Sequence, residues 1–245
     1  MKTPTTTKKF CFKQFSLTTG NCGMPVSTDS VMLGAWIQGH SPTNVNVPKK
    51  ILDIGTGTGI LALMCAQRFP EAEITALDID SKAIESATIN CQQSPWGNRI
   101  HIQHQDILQC PTDNAFDMII CNPPYFNSGQ TASSSARATA RHTINLTHHQ
   151  LLQVCRTLIT SAGNAGFILP VSEGEQFIQA AQQYSWYLSR YCAVQPTENK
   201  PCHRILMEFT CDPVESCEKS QLIIRENQQY SDEFVRLTKD FYQKM

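Results

Sequence analysis

The sequence predicts an α/β fold, in which one mostly parallel sheet of seven strands has helices on both faces and an antiparallel hairpin at its edge. Short β-like runs alternate with helix-like runs from Lys50 onward, a rhythm that is typical of parallel strands joined by crossover helices. The chain has 245 residues, enough to bury one large core without disulfides or metals. Its residues are 41% hydrophobic and 17% charged, which excludes a disordered chain and favours a globular one.

The predicted strands are short, apolar and bounded by turn residues. They cover residues 51–54, 74–79, 100–105, 116–121, 165–169, 187–194 and 205–210. No helical pattern separates the last two strands, which are joined by residues 195–203, so we expect them to pair as an antiparallel hairpin at the edge of the sheet. A further short strand is predicted at residues 222–225.

The predicted helices follow the strands and cover residues 59–69, 81–91, 147–160 and 172–184. The second of them has Asp80 or Ser81 as its N-cap. Its apolar face consists of Ile84, Ala87 and Cys91. Residues 27–29 predict the start of an earlier helix, and Ser231 predicts the start of a terminal one. The terminal helix has an apolar face made of Phe234, Leu237 and Phe241.

Charge and cysteine usage narrow the function classes. The 20 Lys and Arg residues balance 21 Asp and Glu residues, for a net charge of -1, so any contact with nucleic acid must be local. The 11 cysteines include no C-x-x-C pair, which argues against a metal site and favours reduced thiols in a cytoplasm. No apolar window of about 18 residues and no export signal is visible, so we expect no membrane association.

A glycine-rich turn follows the first predicted strand and runs directly into a helix. The turn reads Asp53-Ile54-Gly55-Thr56-Gly57-Thr58-Gly59. Its glycines let the backbone turn tightly and let a ligand approach the amides at the helix N-terminus. The last glycine comes one residue too early for the dinucleotide fingerprint. The spacing resembles instead the first motif of class I methyltransferases, which have a Rossmann-like fold and use S-adenosyl-L-methionine.

Two acids at the ends of the next strands are candidate cofactor ligands. Asp78 follows Gly59 at close to the spacing of about 20 residues at which an acid binds the ribose hydroxyls of a nucleotide. A carboxylate can accept both hydrogen bonds of a vicinal diol. Asp106 ends the third predicted strand, where the resemblance to class I methyltransferases implies an acid against the adenine amine of the cofactor. A simple turn residue is the alternative interpretation of Asp106.

The most specific motif follows the fourth predicted strand and reads Asn122-Pro123-Pro124-Tyr125. An exocyclic amine or an amide nitrogen is a poor nucleophile, because its lone pair is delocalised. The Asn122 side-chain oxygen and the Pro123 carbonyl can accept both N–H bonds of such a nitrogen and aim its lone pair at a sulfonium methyl group. Tyr125 can stack on a planar substrate. The motif is that of N6-adenine and N5-glutamine methyltransferases, and by itself it leaves both acceptors open.

Further segments resemble the family of bacterial tRNA1(Val) (adenine-N6)-methyltransferases, which modify the adenosine immediately 3′ of the anticodon, nucleotide 37. These segments are residues 12–15, 24–36, 93–96, 140–143 and 203–206. The resemblance implies S-adenosyl-L-methionine as cofactor and the anticodon loop of a valine tRNA as partner. It also implies that Lys13, Phe15 and Thr28 lie across the cofactor pocket. One departure is Ser27, which stands where the family has a glycine.

We therefore expect one methyltransferase domain over residues 1–245, acting as a monomer. Residues 1–49 are expected to cover cofactor and substrate, residues 50–211 to form the Rossmann-like core, and residues 212–245 to add a strand and a helix. Three basic clusters are candidate RNA contacts, because they could ring one mouth of the site. They consist of Lys8, Lys9 and Lys13, of Arg137, Arg141 and His142, and of Lys200, His203 and Arg204.

Three alternatives stay open on the sequence alone. A protein N5-glutamine methyltransferase has a helical substrate domain ahead of the core, where only 49 residues stand here. A DNA adenine methyltransferase needs a target-recognition domain, which is not visible. A non-catalytic RNA-binding protein could keep the fold, although the glycine turn, Asp78 and Asn122 argue against it.

Overall fold

The structure, a computed structural model, describes residues 8–19, 27–39, 47–111, 115–124 and 146–244. In these residues, nine strands form one sheet and two form a separate hairpin. The strands of the hairpin are β1 (Lys8–Cys11) and β2 (Ser16–Thr19). The strands of the sheet are β3 (Lys50–Ile54), β4 (Glu73–Asp78), β5 (Ile100–His104), β6 (Phe116–Cys121), β7 (Ile159–Pro170), β8 (Tyr187–Thr197), β9 (Arg204–Thr210), β10 (Glu218–Glu226) and β11 (Gln229–Tyr230).

The described residues contain six α-helices. They are α1 (Thr28–Trp36), α2 (Ile60–Arg68), α3 (Ser81–Gln92), α4 (His148–Leu158), α5 (Val171–Ala181) and α6 (Asp232–Thr238). The side chains of Ser27, Asp80, Thr147 and Ser231 each accept a backbone N–H of the helix that follows, so the predicted starts at Asp80 and Ser231 and in residues 27–29 are confirmed.

None of these helices is long and apolar enough to cross a membrane.

The order of the strands creates a crevice at one end of the sheet. The order is β11-β10-β8-β9-β7-β6-β3-β4-β5. Strand β3 pairs in parallel with both β4 and β6, and β5 and β7 extend this parallel part on either side. The chain runs from β3 to β5 in one direction and then crosses to β6 on the other side of β3. Ligands of open α/β sheets bind beside such a reversal, at the carboxyl ends of the strands.

The predicted α/β class is confirmed, but the sheet has nine described strands rather than seven. Strand β10 contains the short strand predicted at residues 222–225 and pairs in parallel with β8 and antiparallel with β11. The predicted hairpin of β8 and β9 is antiparallel, but it does not lie at the edge, because β10 covers β8. The first four residues of β10 are exposed and polar, so an apolar pattern could not reveal its full length.

Side chains of each central strand alternate between two apolar layers. Ile51 and Met118 belong to the layer that contacts α1, α2 and α6. Their neighbours Leu52 and Ile119 belong to the layer that contacts α4 and α5. The central strands are therefore largely apolar on both faces, which explains why their sequences do not alternate between apolar and polar residues.

The N-terminal hairpin packs against α3 and against the segment that follows α6. The Thr18 backbone N–H donates to the Asn90 side-chain oxygen at 2.8 Å, and Phe12 forms an isolated β-bridge with Tyr242. The ring of Phe12 also stacks on Phe15, with 4.6 Å between centroids. The hairpin and the last described residues thus stabilise each other.

A buried ion pair holds the C-terminal end of α1 against the sheet. Glu208 on β9 is fully buried, and its carboxylate accepts from Arg190 Nη1 at 2.8 Å and from the Gly39 N–H at 3.3 Å. The same Nη1 donates to the Trp36 carbonyl at 3.2 Å, and the guanidinium lies 4.2 Å from the centroid of the Trp36 ring. Burial raises the pKa of Glu208 above its ordinary value, and the charge of Arg190 opposes that rise.

We expect Arg190→Met to lower the free energy of unfolding by about 3–5 kcal/mol, because it leaves Glu208 buried without its cation. The double variant Arg190→Met with Glu208→Gln should be more stable than the single variant, since a buried neutral amide needs no counter-charge. Urea denaturation measures both. A double variant no more stable than Arg190→Met would show that the buried charge does not cause the loss.

Candidate active site

The Asp53 carboxylate is buried within β3 and anchors the glycine turn that follows. Its Oδ2 accepts from the Thr56 hydroxyl at 2.6 Å and from the Ala62 N–H at 3.1 Å. Its Oδ1 is buried and has no hydrogen-bond partner among the described residues. Burial raises the pKa of Asp53 to about 7, while the hydrogen bonds from Thr56 and Ala62 oppose the rise. The described residues thus leave one buried acceptor at the start of the turn without a hydrogen bond.

The glycine turn has a backbone that other residues rarely adopt. Its glycines have positive φ values: Gly55 at 70°, Gly57 at 57° and Gly59 at 83°. Gly59 is also the N-cap of α2, and a Cβ atom there would lie 3.0 Å from the Cys91 sulfur on α3. Glycine at this position therefore allows both the turn and the close packing of α2 on α3.

Asp78, at the end of β4, is held in place by backbone amides. Its Oδ2 accepts from the Gly57 N–H at 2.8 Å, and its Oδ1 accepts from the Asp80 N–H at 2.9 Å. Burial raises the pKa of Asp78, and these two hydrogen bonds oppose the rise. The Gly57 amide, which lies within the turn, therefore positions the Asp78 carboxylate.

A cavity of about 280 Å³ opens at the carboxyl ends of β3, β4, β5 and β6. Its volume is close to the lower end of small-molecule sites. Two carboxylates, Asp78 and Asp106, lie in its wall, and Asp106 Oδ1 also accepts the Leu108 N–H at 3.0 Å. Much of the remaining wall is apolar and includes Ile54, Leu77, Ile107, Pro123 and Leu146. Such a slot suits a planar, partly polar group such as a nucleoside.

Asn122 directly follows β6, and its side-chain amide is bound by the start of α1. The Nδ2 atom donates to Ser30 Oγ at 2.9 Å and lies 3.4 Å from Ser27 Oγ. Pro123 and Pro124, the next two residues, line the cavity. The amide nitrogen thus points to α1, which leaves the Asn122 oxygen available to a donor. Tyr125 lies outside the described residues.

The three cofactor ligands predicted in the N-terminal segment do not line this cavity. Lys13 is exposed, and its Nζ donates to the Lys239 carbonyl at 2.5 Å. Phe15 is buried beside Phe12 and Trp96, because an apolar ring is more stable in an aromatic cluster than in water. Thr28 is the exposed first residue of α1. A covering role for Lys13, Phe15 and Thr28 therefore stays a prediction.

The predicted RNA contacts are described only in part. Lys9 is exposed on β1 and Lys200 is exposed between β8 and β9. The His203 ring lies 3.1 Å from the Val194 carbonyl, and Arg204 Nε lies 2.8 Å from the Asp29 carboxylate on α1. Nothing is described of the Lys8 side chain, and three further candidates lie outside the described residues. These are Arg137, Arg141 and His142.

The sequence analysis missed Ser30, which holds the Asn122 amide. A serine three residues after an N-cap gives no functional signal, and 92 positions separate it from Asn122. Gln150 also lines the cavity and was missed, although its capping box with Thr147 places it in the first turn of α4. Only the packing of α1 and α4 at the end of the sheet brings these residues to the site.

In the described part of the chain, no group of three or more His, Cys, Asp or Glu residues could hold a metal ion. The ten cysteines described there are free thiols.

The site fits S-adenosyl-L-methionine. Asp78 can accept the ribose hydroxyls, the apolar slot suits the adenine ring, and Asp53 Oδ1 provides a buried acceptor beside the turn. When bound, the cofactor supplies an electrophilic methyl group on a sulfonium sulfur. Together, the Rossmann-like sheet, the glycine turn and the Asn-Pro-Pro segment define a class I, S-adenosyl-L-methionine-dependent methyltransferase.

Comparisons with known proteins agree with this class. Residues 40–155 match the family described as methyltransferase small domain. A crystal structure of a predicted O-methyltransferase from Agrobacterium tumefaciens covers 87% of this chain and 96% of its own, with a TM-score of 0.64 and 15% identity. This likeness shows a shared fold.

Curated relatives specify the family. A protein of Vibrio campbellii is 55% identical over 98% of this chain and 97% of its own. A protein of Aliivibrio fischeri is 48% identical over 97% of this chain and 99% of its own. Both are named tRNA1(Val) (adenine(37)-N6)-methyltransferase. The chain therefore belongs to the family of tRNA1(Val) (adenine(37)-N6)-methyltransferases.

The raised pKa of Asp53 predicts a pH-dependent stability. The unfolded chain releases this proton near pH 4 and the folded protein only near pH 7, so the wild type loses stability as pH rises through this window. Asp53→Asn removes that loss. The free energy of unfolding of the variant, relative to wild type, should increase by about 2–3 kcal/mol between pH 5 and pH 8. Urea denaturation across this range measures it, and a constant difference would contradict the prediction.

Proposed function

We propose that this protein transfers the methyl group of S-adenosyl-L-methionine to N6 of adenosine 37 in tRNA1(Val). The observation that carries the proposal is the orientation of Asn122, whose amide nitrogen is bound by α1 next to the prolines that line the cavity. The names of the relatives support the choice of base and tRNA.

The Asn-Pro-Pro-Tyr segment activates the acceptor. The Asn122 oxygen and the Pro123 carbonyl accept the two N–H bonds of the adenine amine, which draws the nitrogen towards tetrahedral geometry and directs its lone pair at the methyl group. Pro124 keeps the segment rigid, and Tyr125 stacks on the adenine, a contact worth about 1–3 kcal/mol per base. No strong general base is needed, because the methylated nitrogen is a cation that readily loses its proton.

The cofactor lies in the cavity at the carboxyl ends of β3 to β6. Asp78 accepts hydrogen bonds from its ribose hydroxyls, and Asp106 accepts one from its adenine amine. Asp53 shapes the turn and offers its second oxygen to the cationic end of the cofactor. The turn itself is made by Gly55, Gly57 and Gly59.

Moving the target base of the RNA into the site costs little free energy. Adenosine 37 belongs to a single-stranded loop, where a base unstacks more easily than in a duplex. The three basic clusters contact the phosphates around it, and Lys13, Phe15 and Thr28 cover the cofactor from the N-terminal side. The protein acts as one domain and as a monomer in the cytoplasm, where its thiols stay reduced.

The decisive experiment incubates the protein with radiolabelled cofactor and tRNA1(Val) made by transcription, which lacks all modifications. Label should appear as N6-methyladenosine at nucleotide 37. A transcript with guanosine at nucleotide 37 is the control, because guanine has no 6-amino group, and it should stay unlabelled. Label in a protein fraction instead would favour the N5-glutamine alternative and refute the proposal.

We expect Asn122→Ala to lower kcat by about 10²–10³-fold, because it removes an acceptor that acts on the reacting nitrogen. Cofactor affinity should change by less than about threefold, since Asp78 and the cavity are intact. Single-turnover methylation and calorimetric titration of the cofactor measure the two effects. If turnover in the variant stays near that of wild type, Asn122 does not activate the acceptor.

A further inference from the structure

We infer that Ser30, together with Ser27, is a positioning residue that sets which end of the Asn122 amide faces the substrate. The inference rests on the proposed function, because it concerns the orientation of the group that accepts hydrogen bonds from the reacting amine. An asparagine amide has an acceptor end and a donor end of nearly equal shape. Only the oxygen can accept an N–H of an adenine amine, and a rotation that exchanged the two ends would place donor against donor.

Among the described residues, the hydrogen bonds of the Asn122 side chain all fall on the nitrogen end of its amide. Its Nδ2 lies 2.9 Å from Ser30 Oγ and 3.4 Å from Ser27 Oγ. A serine hydroxyl can donate as well as accept, so these distances alone do not determine the orientation. The orientation depends on where the single hydroxyl proton of Ser30 goes.

In the arrangement we infer, the N-cap of α1 directs that proton, because Ser27 Oγ is an acceptor within reach of the Ser30 hydroxyl. Ser27 Oγ accepts the backbone N–H of Ser30 at 3.1 Å, as an N-cap side chain does. It lies 3.0 Å from Ser30 Oγ. When the Ser30 hydroxyl donates to this acceptor, only lone pairs remain on the side of Asn122. The Asn122 amide must then present its NH2 group to Ser30, and its oxygen stays free for the substrate.

The first turn of α1 is attached to the sheet, which keeps the two serines beside Asn122. Ser30 is buried, and its neighbour Asp29 pairs with Arg204 on β9 at 2.8 Å. At the other end of the helix, Arg190 binds the Trp36 carbonyl. Both ends of α1 are thus attached to the sheet that carries Asn122, so the distance between the serines and the amide is maintained by the fold.

The test compares Ser30→Ala with Ser86→Ala, the same substitution at another helical serine. Both serines are 7% exposed, but Ser86 lies on α3 and has no role in the site. We expect Ser30→Ala to lower kcat about tenfold, the value of one hydrogen bond, while KM for tRNA and for cofactor stays within about twofold. Ser86→Ala should leave all three within about twofold of wild type. Thermal melting verifies that both variants fold.

Ser27→Gly provides a second, milder test. Glycine is nearly as good an N-cap as serine, so the helix keeps its start, but the Ser30 hydroxyl loses the acceptor that directs its proton. We expect an intermediate loss of kcat, about threefold, again without a change in KM. If Ser30→Ala does not fold, the kcat of Ser27→Gly decides whether the inference holds.

Two results would overturn the inference. One is a folded Ser30→Ala, or failing that Ser27→Gly, with the kcat of the Ser86→Ala control. The other is a loss that falls on KM rather than kcat, which would indicate disturbed binding. Failure of the proposed function looks different, because wild-type protein would then leave adenosine 37 unmethylated.

Discussion

The parallel pairing of β3 with both β4 and β6 is the constraint on which the site depends. Parallel strands end at the same edge of a sheet, so the glycine turn after β3, Asp78 at the end of β4 and Asn122 after β6 converge there. The hydrogen bond from the Gly57 amide to Asp78 joins two of these strand ends directly. The third strand end, that of β6, is held by α1, whose first turn binds Asn122.

Helix α1 connects the buried interactions that stabilise the fold with the residues of the site. Its C-terminal end is attached through the buried pair of Arg190 and Glu208, and its first turn through Arg204 and Asp29. A buried ion pair gives little net stability, but it is costly to break because either partner alone would be an uncompensated buried charge. The helix contributes Ser30, which binds the Asn122 amide, so contacts far from the cavity hold this serine beside Asn122.

Much of the fold could be predicted from apolar patterning because the central strands are buried on both faces. Residues 51–54 and 116–121 are apolar except for Asp53 and Asp117 for this reason, and their ends were predicted to within a residue. Strand β10 was predicted only around Leu222, since most of its other side chains are exposed or half-buried and need not be apolar. The place of β9 between β7 and β8 could not be predicted, because strand order depends on packing of whole elements rather than on local pattern.

The sequence by itself determined the chemistry of the site: the Asp53 to Gly59 turn, Asp78 and the Asn-Pro-Pro-Tyr motif are local, and their residue types limit what they can bind. The tertiary structure alone decided how these groups are held. It assigned the Gly57 amide to Asp78, placed Phe15 in an aromatic cluster away from the cavity, and brought Ser30 to Asn122. Such contacts join residues distant in the chain, and their energies depend on burial and direction, which exist only once the helices pack on the sheet.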